Sequence, residues 1–229
     1  MEQGKIIVIE GTDGSGKGTQ AKILRERLIA KGFSVVGFSF PQHGEPSAVP
    51  VDQYLNGAFG DPDKVDPYLA STLFALDRSA AKNKLKEIRE TGKIGVLDRY
   101  VDSNAGHQGG KISDPKEREK FLAWLYDLEY RQLGIPKPDL VVILRVPPRI
   151  SQEMIAKKAA REYLLAGTHD GHENNLRHLE NAEAAYIWLA QHDPEIHRLI
   201  ECSDGNQLFP PEQIAEMIWK EISQLIPHQ

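Results

Sequence analysis

A glycine-rich segment near the beginning of the chain has the residues needed to bind phosphate groups. It comprises Gly11, Thr12, Asp13, Gly14, Ser15, Gly16, Lys17, Gly18 and Thr19. Glycine allows backbone conformations that are closed to other residues, so successive N–H groups can turn toward one anion. The lysine adds a positive charge, and a helix that follows would direct the positive end of its dipole at the same anion. The segment therefore predicts a loop that binds a nucleoside triphosphate, provided that a strand precedes it and a helix follows it.

One position of this loop bears on metal binding. Ser or Thr usually follows the lysine, but Gly18 stands there and Thr19 comes one residue later. We therefore expect Mg²⁺ to be held by nucleotide phosphates, water and carboxylates instead of a loop hydroxyl, since Mg²⁺ retains water readily. Asp98, directly after an apolar segment, is placed to orient such water. A purely structural carboxylate is the alternative for Asp98.

The elements that must position these residues alternate along the chain. Short apolar segments occupy residues 6–9, 35–40, 94–97, 140–146 and 198–200. Their continuous apolar character is typical of parallel strands that are covered on both faces. Helical spacing of apolar residues, with glycines near the ends, marks residues 20–30, 68–90, 115–133, 149–165, 172–191 and 211–226. The alternation predicts an α/β fold with a parallel sheet.

Composition limits the class of protein. Twenty-eight Lys and Arg against 33 Asp and Glu give a net charge of −5, which argues against a nucleic-acid polymer or a membrane surface as partner. The single cysteine, Cys202, allows no internal disulfide, and the first apolar segment is too short for a signal peptide or a membrane span. We expect one cytoplasmic domain over residues 1–229. Segment 159–172 resembles a mobile lid because it combines glycine with charge.

Two families that use phosphate loops are excluded by missing motifs. A GTPase needs an Asn-Lys-x-Asp guanine reader, but the only Asn-Lys pair, Asn83 and Lys84, continues with Leu85 and Lys86 inside a helical pattern. A transporter ATPase needs a Leu-Ser-Gly-Gly signature, which the chain lacks.

Further motifs resemble the thymidylate kinases over nearly the whole chain and in the right order. They are IEGTDGSGKGT from Ile9, FPQHG from Phe40, LFALDR from Leu73, LDRYVDSNAGHQGG from Leu97 and LGIPKPD from Leu133. The resemblance implies a P-loop NTPase-type three-layer fold, with a five-stranded parallel sheet, helices on both faces and a small lid at about 149–172. It also implies transfer of the γ-phosphoryl group of ATP to dTMP, giving dTDP, with Mg²⁺ as cofactor and a homodimer as the assembly.

The resemblance also assigns the acceptor site. Phe74 would stack on the base, and Arg78, one helical turn later on the same face, would bind the monophosphate. Arg99 resembles a second phosphate-binding arginine, and the Asn104 amide can match the O4 and N3–H groups of thymine. The full acceptor set is Asp13, Phe40, His43, Phe74, Arg78, Arg99, Ser103, Asn104, His107, Gln108, His172 and Glu173. Metal binding, partly through water, is expected at Asp13, Asp98 and Glu173.

The predicted lid supplies positive charge. Its region contains Arg145, Arg149, Lys157, Lys158 and Arg161, with Glu153 as the acidic residue between them. Some thymidylate kinases carry an arginine inside the phosphate loop, whereas this chain has Gly14 and Gly18 there. We therefore expect Arg161 to stabilise the transferring phosphoryl group, together with Lys17 and Arg99. A solvated basic surface is the alternative for Arg149, Lys157 and Lys158.

The acceptor pocket departs from the family pattern. Gln42 and His43 replace an arginine and a tyrosine, and His107 and His172 also stand where a related branch has tyrosine. These changes leave open a kinase for another pyrimidine monophosphate, such as dUMP or a modified nucleotide. A catalytically silent nucleotide-binding module is a second alternative. A transition-metal site at His169, Asp170, His172 and Glu173 is a further alternative to a lid segment without a metal role.

Overall fold

The apolar segments form a parallel sheet. The computed structural model describes residues 3–162 and 176–226, with the side chains of these residues except 158–162. The strands are β1 (Lys5–Gly11), β2 (Val35–Ser39), β3 (Ile94–Asp98), β4 (Leu140–Arg145) and β5 (His197–Glu201). They lie in the order β2-β3-β1-β4-β5, and every pair is parallel. The carboxyl ends of β1, β3 and β4 therefore meet at the middle of the sheet, where ligands bind in open α/β folds.

Helices pack on both faces of this sheet. Within the described residues the α-helices are α1 (Lys17–Ala30), α2 (Val49–Leu55), α3 (Pro67–Ala80), α4 (Lys82–Glu90), α5 (Val101–His107), α6 (Pro115–Tyr126), α7 (Pro148–Glu162), α8 (Leu176–His192) and α9 (Pro211–Ile222). Short 3₁₀ helices occupy Pro46–Ala48 and Gly109–Lys111, and a π-helix occupies Asp127–Gln132. None of the described helices is long and apolar enough to cross a membrane.

Alternate residues of each strand enter two separate cores. On β1, Ile6 and Val8 pack against one layer of helices, whereas Ile7 and Ile9 pack against the layer that contains α1 and α9. Both sets are fully buried, which explains why the strand sequences are apolar without alternation. This architecture confirms the predicted three-layer fold with a five-stranded parallel sheet.

Two helix predictions are wrong in their extent. The predicted helix over 68–90 is divided into α3 and α4 at Ala81, whose backbone N–H donates to the Arg78 carbonyl oxygen, only three residues back, at 3.0 Å. Ala81 is buried in the core, and no glycine or proline marks the break. The predicted helix over 115–133 changes to π geometry after Tyr126. The start of α3 has an ordinary cause, since the Asp66 side chain accepts hydrogen bonds from the first turn and Pro67 follows.

Candidate active site

The glycine-rich loop joins β1 to α1, so the predicted context of strand, loop and helix is present. Gly14 and Gly16 have φ angles of 77° and 87°, a region that favours glycine. A Cβ atom on Gly14 would lie 2.4 Å from the carbonyl oxygen of Ser151 on α7. Lys17 is buried and donates from Nζ to the carbonyl oxygen of Thr12, at 2.7 Å. Burial, with help from the nearby Arg99 charge, lowers the pKa of Lys17 to about 8.

Arg99 connects this loop to α5. Its φ angle is 69°, and Arg99 is the non-glycine residue with a positive φ angle among the described residues. This conformation strains the backbone, and strained residues are common at functional sites. Its guanidinium forms an ion pair with Asp13, and Nη1 lies 3.1 Å from Nε2 of His107. Burial alone would raise the pKa of Asp13, but the charges of Arg99 and Lys17 outweigh burial and hold this pKa far below its usual range. Asp13 is therefore ionised and anchors Arg99 beside the phosphate loop.

A second carboxylate, Glu10, lies behind this pair and is fully buried. It accepts hydrogen bonds from the Tyr100 backbone N–H at 2.6 Å, the Ser103 hydroxyl at 2.7 Å and the Tyr186 hydroxyl at 3.0 Å. Burial raises the pKa of Glu10, although the Arg99 charge opposes this shift. Glu10 thereby fixes the beginning of α5 against β1. This role of Glu10 could not be predicted from the sequence, because a glutamate at the end of a strand is ordinarily exposed.

Arg78 is buried, and its guanidinium is held by Glu129 of the π-helix. Nε and Nη2 donate to the two carboxylate oxygens at 2.7 and 2.5 Å, and Nη1 donates to the Tyr100 carbonyl oxygen at 3.1 Å. These bonds use three of the five N–H groups of the guanidinium. Arg78 is therefore not a solvated surface residue. Arg78 also lines the central cavity, so its remaining N–H groups can meet a phosphate there.

Donor and acceptor residues of the prediction meet in one cavity of about 640 Å³ at the carboxyl end of the sheet, although Gly11, Thr12 and Ser15 of the loop do not line it. Its wall includes Asp13, Gly14, Gly16, Lys17, Gly18 and Thr19 of the loop, and Phe40, His43, Phe74, Arg78, Asp98, Arg99, Ser103, Asn104, His107 and Gln108. Tyr54 and His178, which the sequence analysis did not single out, line it as well. The side chain of Arg161, and His172 and Glu173 entirely, lie outside the described residues, as does the alternative metal site at residues 169–173.

Polar side chains near the predicted base position have only part of their hydrogen-bonding capacity used. Phe74 is half-buried and meets Tyr54 edge-on, with ring centroids 5.9 Å apart. Asn104 donates from Nδ2 to the Ser71 carbonyl oxygen at 3.1 Å. Gln108 donates to the Tyr54 hydroxyl at 3.4 Å, while its buried Oε1 has no hydrogen-bond partner among the described residues. Such an acceptor suits an N–H group of a ligand.

Asp98 has features that fit a hydrated metal ion. Its Oδ1 atom is buried and has no hydrogen-bond partner within the described chain. Its Oδ2 atom lies 3.1 Å from the position of a Cβ on Gly18, so even a small side chain at position 18 would crowd it. Residues 3–162 and 176–226 contain no cluster of three or more His, Cys, Asp or Glu that could hold a metal by itself.

The basic residues at the start of the predicted lid differ in their charge compensation. Arg145 is paired with Glu183 at 3.0 Å and Glu201 at 2.7 Å, so its charge is already compensated. Arg149 and Lys157 are exposed, and Lys157 lies 4.0 Å from Glu153. These positions agree with the alternative of a solvated basic surface for Arg149 and Lys157.

Gln42 and His43, which depart from the family pattern, have different surroundings. Gln42 binds Asp77 through its backbone N–H at 2.8 Å and its side-chain amide at 3.2 Å, which ties the segment after β2 to α3. His43 is exposed and lies 2.6 Å from the Asp52 carboxylate. Gln42 therefore has a structural role here, and His43 remains available at the cavity mouth.

Comparison with known proteins gives a consistent result. A family model described as thymidylate kinase matches residues 9–202. The thymidylate kinase of Mycobacterium tuberculosis is 33% identical over 186 residues, which cover 81% of this chain and 85% of the relative. The thymidylate kinase of Thermomicrobium roseum is 26% identical over 222 residues, covering 96% and 95%. The solved structure of thymidylate kinase from Candida albicans shares the fold, with a TM-score of 0.73, 22% identity and coverage of 97% of this chain and 92% of that one.

Proposed function

The chain belongs to the thymidylate kinase family of nucleoside monophosphate kinases, and we propose that it transfers the γ-phosphoryl group of MgATP to dTMP, giving dTDP. One observation carries this proposal: Lys17 of the phosphate loop and the acceptor residues Phe74 and Arg78 line the same cavity, which the paired Asp13 and Arg99 also line. Such a site can hold a donor and an acceptor phosphate side by side.

The donor half of the reaction rests on the loop and Lys17. The backbone N–H groups of the loop and the start of α1 bind the ATP phosphates, and the Lys17 ammonium neutralises their charge. Because the pKa of Lys17 is about 8, the side chain is mostly protonated at neutral pH before ATP arrives. Bound phosphate favours the charged form further.

The acceptor half rests on the residues of α3 and α5. Phe74 covers the thymine ring, and Asn104 and Gln108 face its polar edge. Arg78, held by Glu129, and Arg99, held by Asp13, bind the monophosphate. An oxygen of this phosphate attacks the γ-phosphorus, and the bond between that phosphorus and the β–γ bridging oxygen breaks, releasing ADP. The acceptor is already an anion, so positioning and charge neutralisation are the main requirements.

The proposed cofactor is Mg²⁺, with Asp98 orienting its water ligands because Asp98 presents a buried, unpartnered oxygen. The ion neutralises charge on the transferring phosphoryl group when it is bound. Asp13 is proposed to act mainly through Arg99, since its carboxylate is engaged in that ion pair. Arg161 remains our proposal for the arginine that completes the site, and Glu173 for an additional carboxylate.

The experiment is an ADP-release assay of the purified chain with MgATP and a panel of nucleoside monophosphates. We expect ADP release that requires an acceptor and is fastest with dTMP. Lys17→Ala and Arg99→Ala should abolish it while the circular dichroism spectrum is retained, whereas Lys22→Ala, an exposed position on the same helix α1, should leave it unchanged. Faster turnover of dUMP would replace dTMP as the acceptor. The absence of turnover with every acceptor would favour a nucleotide-binding module.

We also propose a homodimer, as the family resemblance implies. Leu69 and Leu76 lie two helical turns apart on α3, and both side chains are about half exposed, at 48% and 51%. Exposed leucines on one face of a helix suit a contact with a second copy. A single-chain mass in sedimentation equilibrium would rule this assembly out.

A further inference from the structure

Two hydrogen bonds and one close polar contact lead from Arg99 to the loop that connects α2 and α3. Nη1 of Arg99 lies 3.1 Å from Nε2 of His107, and Nδ1 of His107 lies 3.0 Å from Nε2 of His178 on α8. Nδ1 of His178 then lies 3.3 Å from the Asp63 carboxylate, in the connection between α2 and α3. The two imidazole rings are nearly parallel, with centroids 5.2 Å apart. Asp13, at the other end, completes the series through its ion pair with Arg99.

The chemistry of the end groups determines where each proton lies. A guanidinium can only donate, so Nε2 of His107 must accept from Arg99. Nδ1 of a neutral His107 then carries the proton and donates to Nε2 of His178. Nδ1 of His178 faces the Asp63 carboxylate at 3.3 Å, and because a carboxylate can only accept, the proton of a neutral His178 belongs on Nδ1. If Nε2 of His178 carried the proton instead, both ring nitrogens of His107 would face donors. The one N–H group of a neutral His107 would then have no acceptor.

The surroundings of His107 support this arrangement. Burial lowers its pKa well below the ordinary value for histidine; the Asp13 charge opposes this shift, while the charges of Arg99, His178 and Lys17 add to it. His107 is therefore neutral at physiological pH, as the series of hydrogen bonds requires. His178 is almost fully buried, and Asp63 is partly exposed.

We propose that His178 and Asp63 are positioning residues for phosphoryl transfer, which act through His107 to hold the Arg99 guanidinium in the site. This inference rests on the proposed function of the same site. Arg99 has a long side chain and a strained backbone conformation, so its position depends on the groups that surround it. Asp13 fixes Nη2, and His107 fixes Nη1 only while its own ring is held in one orientation and one tautomer. His178 and Asp63 supply that constraint from two separate elements, α8 and the α2–α3 connection.

The test compares His178→Leu with His178→Gln. The leucine can neither accept from His107 nor donate to Asp63, so we expect kcat to fall by about 10- to 100-fold, as for other losses of positioning, with little change in KM for ATP. A glutamine can accept through Oε1 and donate through Nε2, so His178→Gln should restore most of kcat. His192→Leu, the same substitution at an exposed position of α8, is the matched control and should resemble wild type. Should His178→Leu fail to fold, Asp63→Ala should lower kcat in the same way at a partly exposed position.

A second measurement does not depend on turnover. In long-range ¹H–¹⁵N spectra of the wild-type protein, His107 should be neutral, with its proton on Nδ1. Protonation at Nε2, or at both nitrogens, overturns the proposal whichever acceptor the enzyme uses. Wild-type kcat in His178→Leu, or a His178→Gln variant as impaired as His178→Leu, also overturns it. If instead the wild type turns over no acceptor while His107 carries the Nδ1 proton, the proposed function fails and the hydrogen-bonded series stands.

Discussion

Removal of the Glu129 carboxylate should destabilise the protein strongly, because it leaves the Arg78 guanidinium buried without a counter-ion. Arg78 is 1% exposed and Glu129 is fully buried. The pair is bidentate, with distances of 2.7 and 2.5 Å, so water cannot replace the lost carboxylate without a rearrangement of the core. The variant Glu129→Ala therefore tests how much this ion pair contributes to the stability of the fold.

The expected size of the effect follows from this burial. Loss of one partner of a buried ion pair costs about 3–5 kcal/mol of folding free energy. With an m value of about 3 kcal/mol per M, this loss lowers the midpoint of urea unfolding by about 1–1.7 M. The double variant Arg78→Met with Glu129→Leu removes both charges and refills the space, so it should be more stable than Glu129→Ala alone.

Urea unfolding followed by circular dichroism measures this effect, and Asp127→Ala is the control. Asp127 lies in the same π-helix and is paired with Arg131, but the pair is solvent-exposed and its loss should leave the midpoint close to wild type. Because Glu129 also orients Arg78 toward the cavity, Glu129→Ala should raise KM for dTMP more than KM for ATP. A Glu129→Ala midpoint equal to that of Asp127→Ala would show that the buried ion pair does not stabilise the fold.

Two further predictions concern the phosphate loop. Gly14→Ala should lower the unfolding temperature and weaken ATP binding more than Gly16→Ala does. Both positions have left-handed φ angles, but only a Cβ at Gly14 would meet the Ser151 backbone. Equal decreases in unfolding temperature and ATP affinity, measured by calorimetry, would contradict this. The pKa of Lys17 is lowered from 10.5 to about 8 in the folded state, so the unfolded chain binds more protons between these pH values. Without nucleotide, the stability of wild type relative to Lys17→Met should therefore rise from pH 8 to 10.5 in urea unfolding, and a constant or falling difference would refute this.

The strands and the phosphate loop could be predicted because their causes are local. Continuous apolar segments indicate strands buried on both faces, and β1 and β3 follow that rule. The glycines of the loop are required by backbone conformation, which sequence records directly. The carboxyl ends of the strands then bring Asp98 and Arg99 to the loop, as the fold class requires.

The residues that the sequence did not reveal act through partners far along the chain. Glu129 is 51 residues from Arg78, and His178 is 71 residues from His107. A buried charge and a surface charge look alike in sequence, so neither Glu10 nor Glu129 could be recognised before its partners were placed. The division of the helix at Ala81 could not be predicted either, because alanine favours a helix and the residue is buried in the core.

The same carboxylates that position the cations of the site also neutralise them. Arg78 is paired with Glu129, and Arg99 is paired with Asp13, which also lies 3.9 Å from Lys17. The described part of the site is therefore organised before substrates bind, but it offers little uncompensated positive charge to two phosphate-bearing nucleotides. We expect additional positive charge to come with the substrates, as the proposed Mg²⁺ on ATP, or from the predicted lid that contains Arg161. We therefore expect the protein to hold the acceptor phosphate mainly through well-positioned hydrogen bonds and not through a surplus of positive charge. Tight binding of both nucleotides should then require the metal ion.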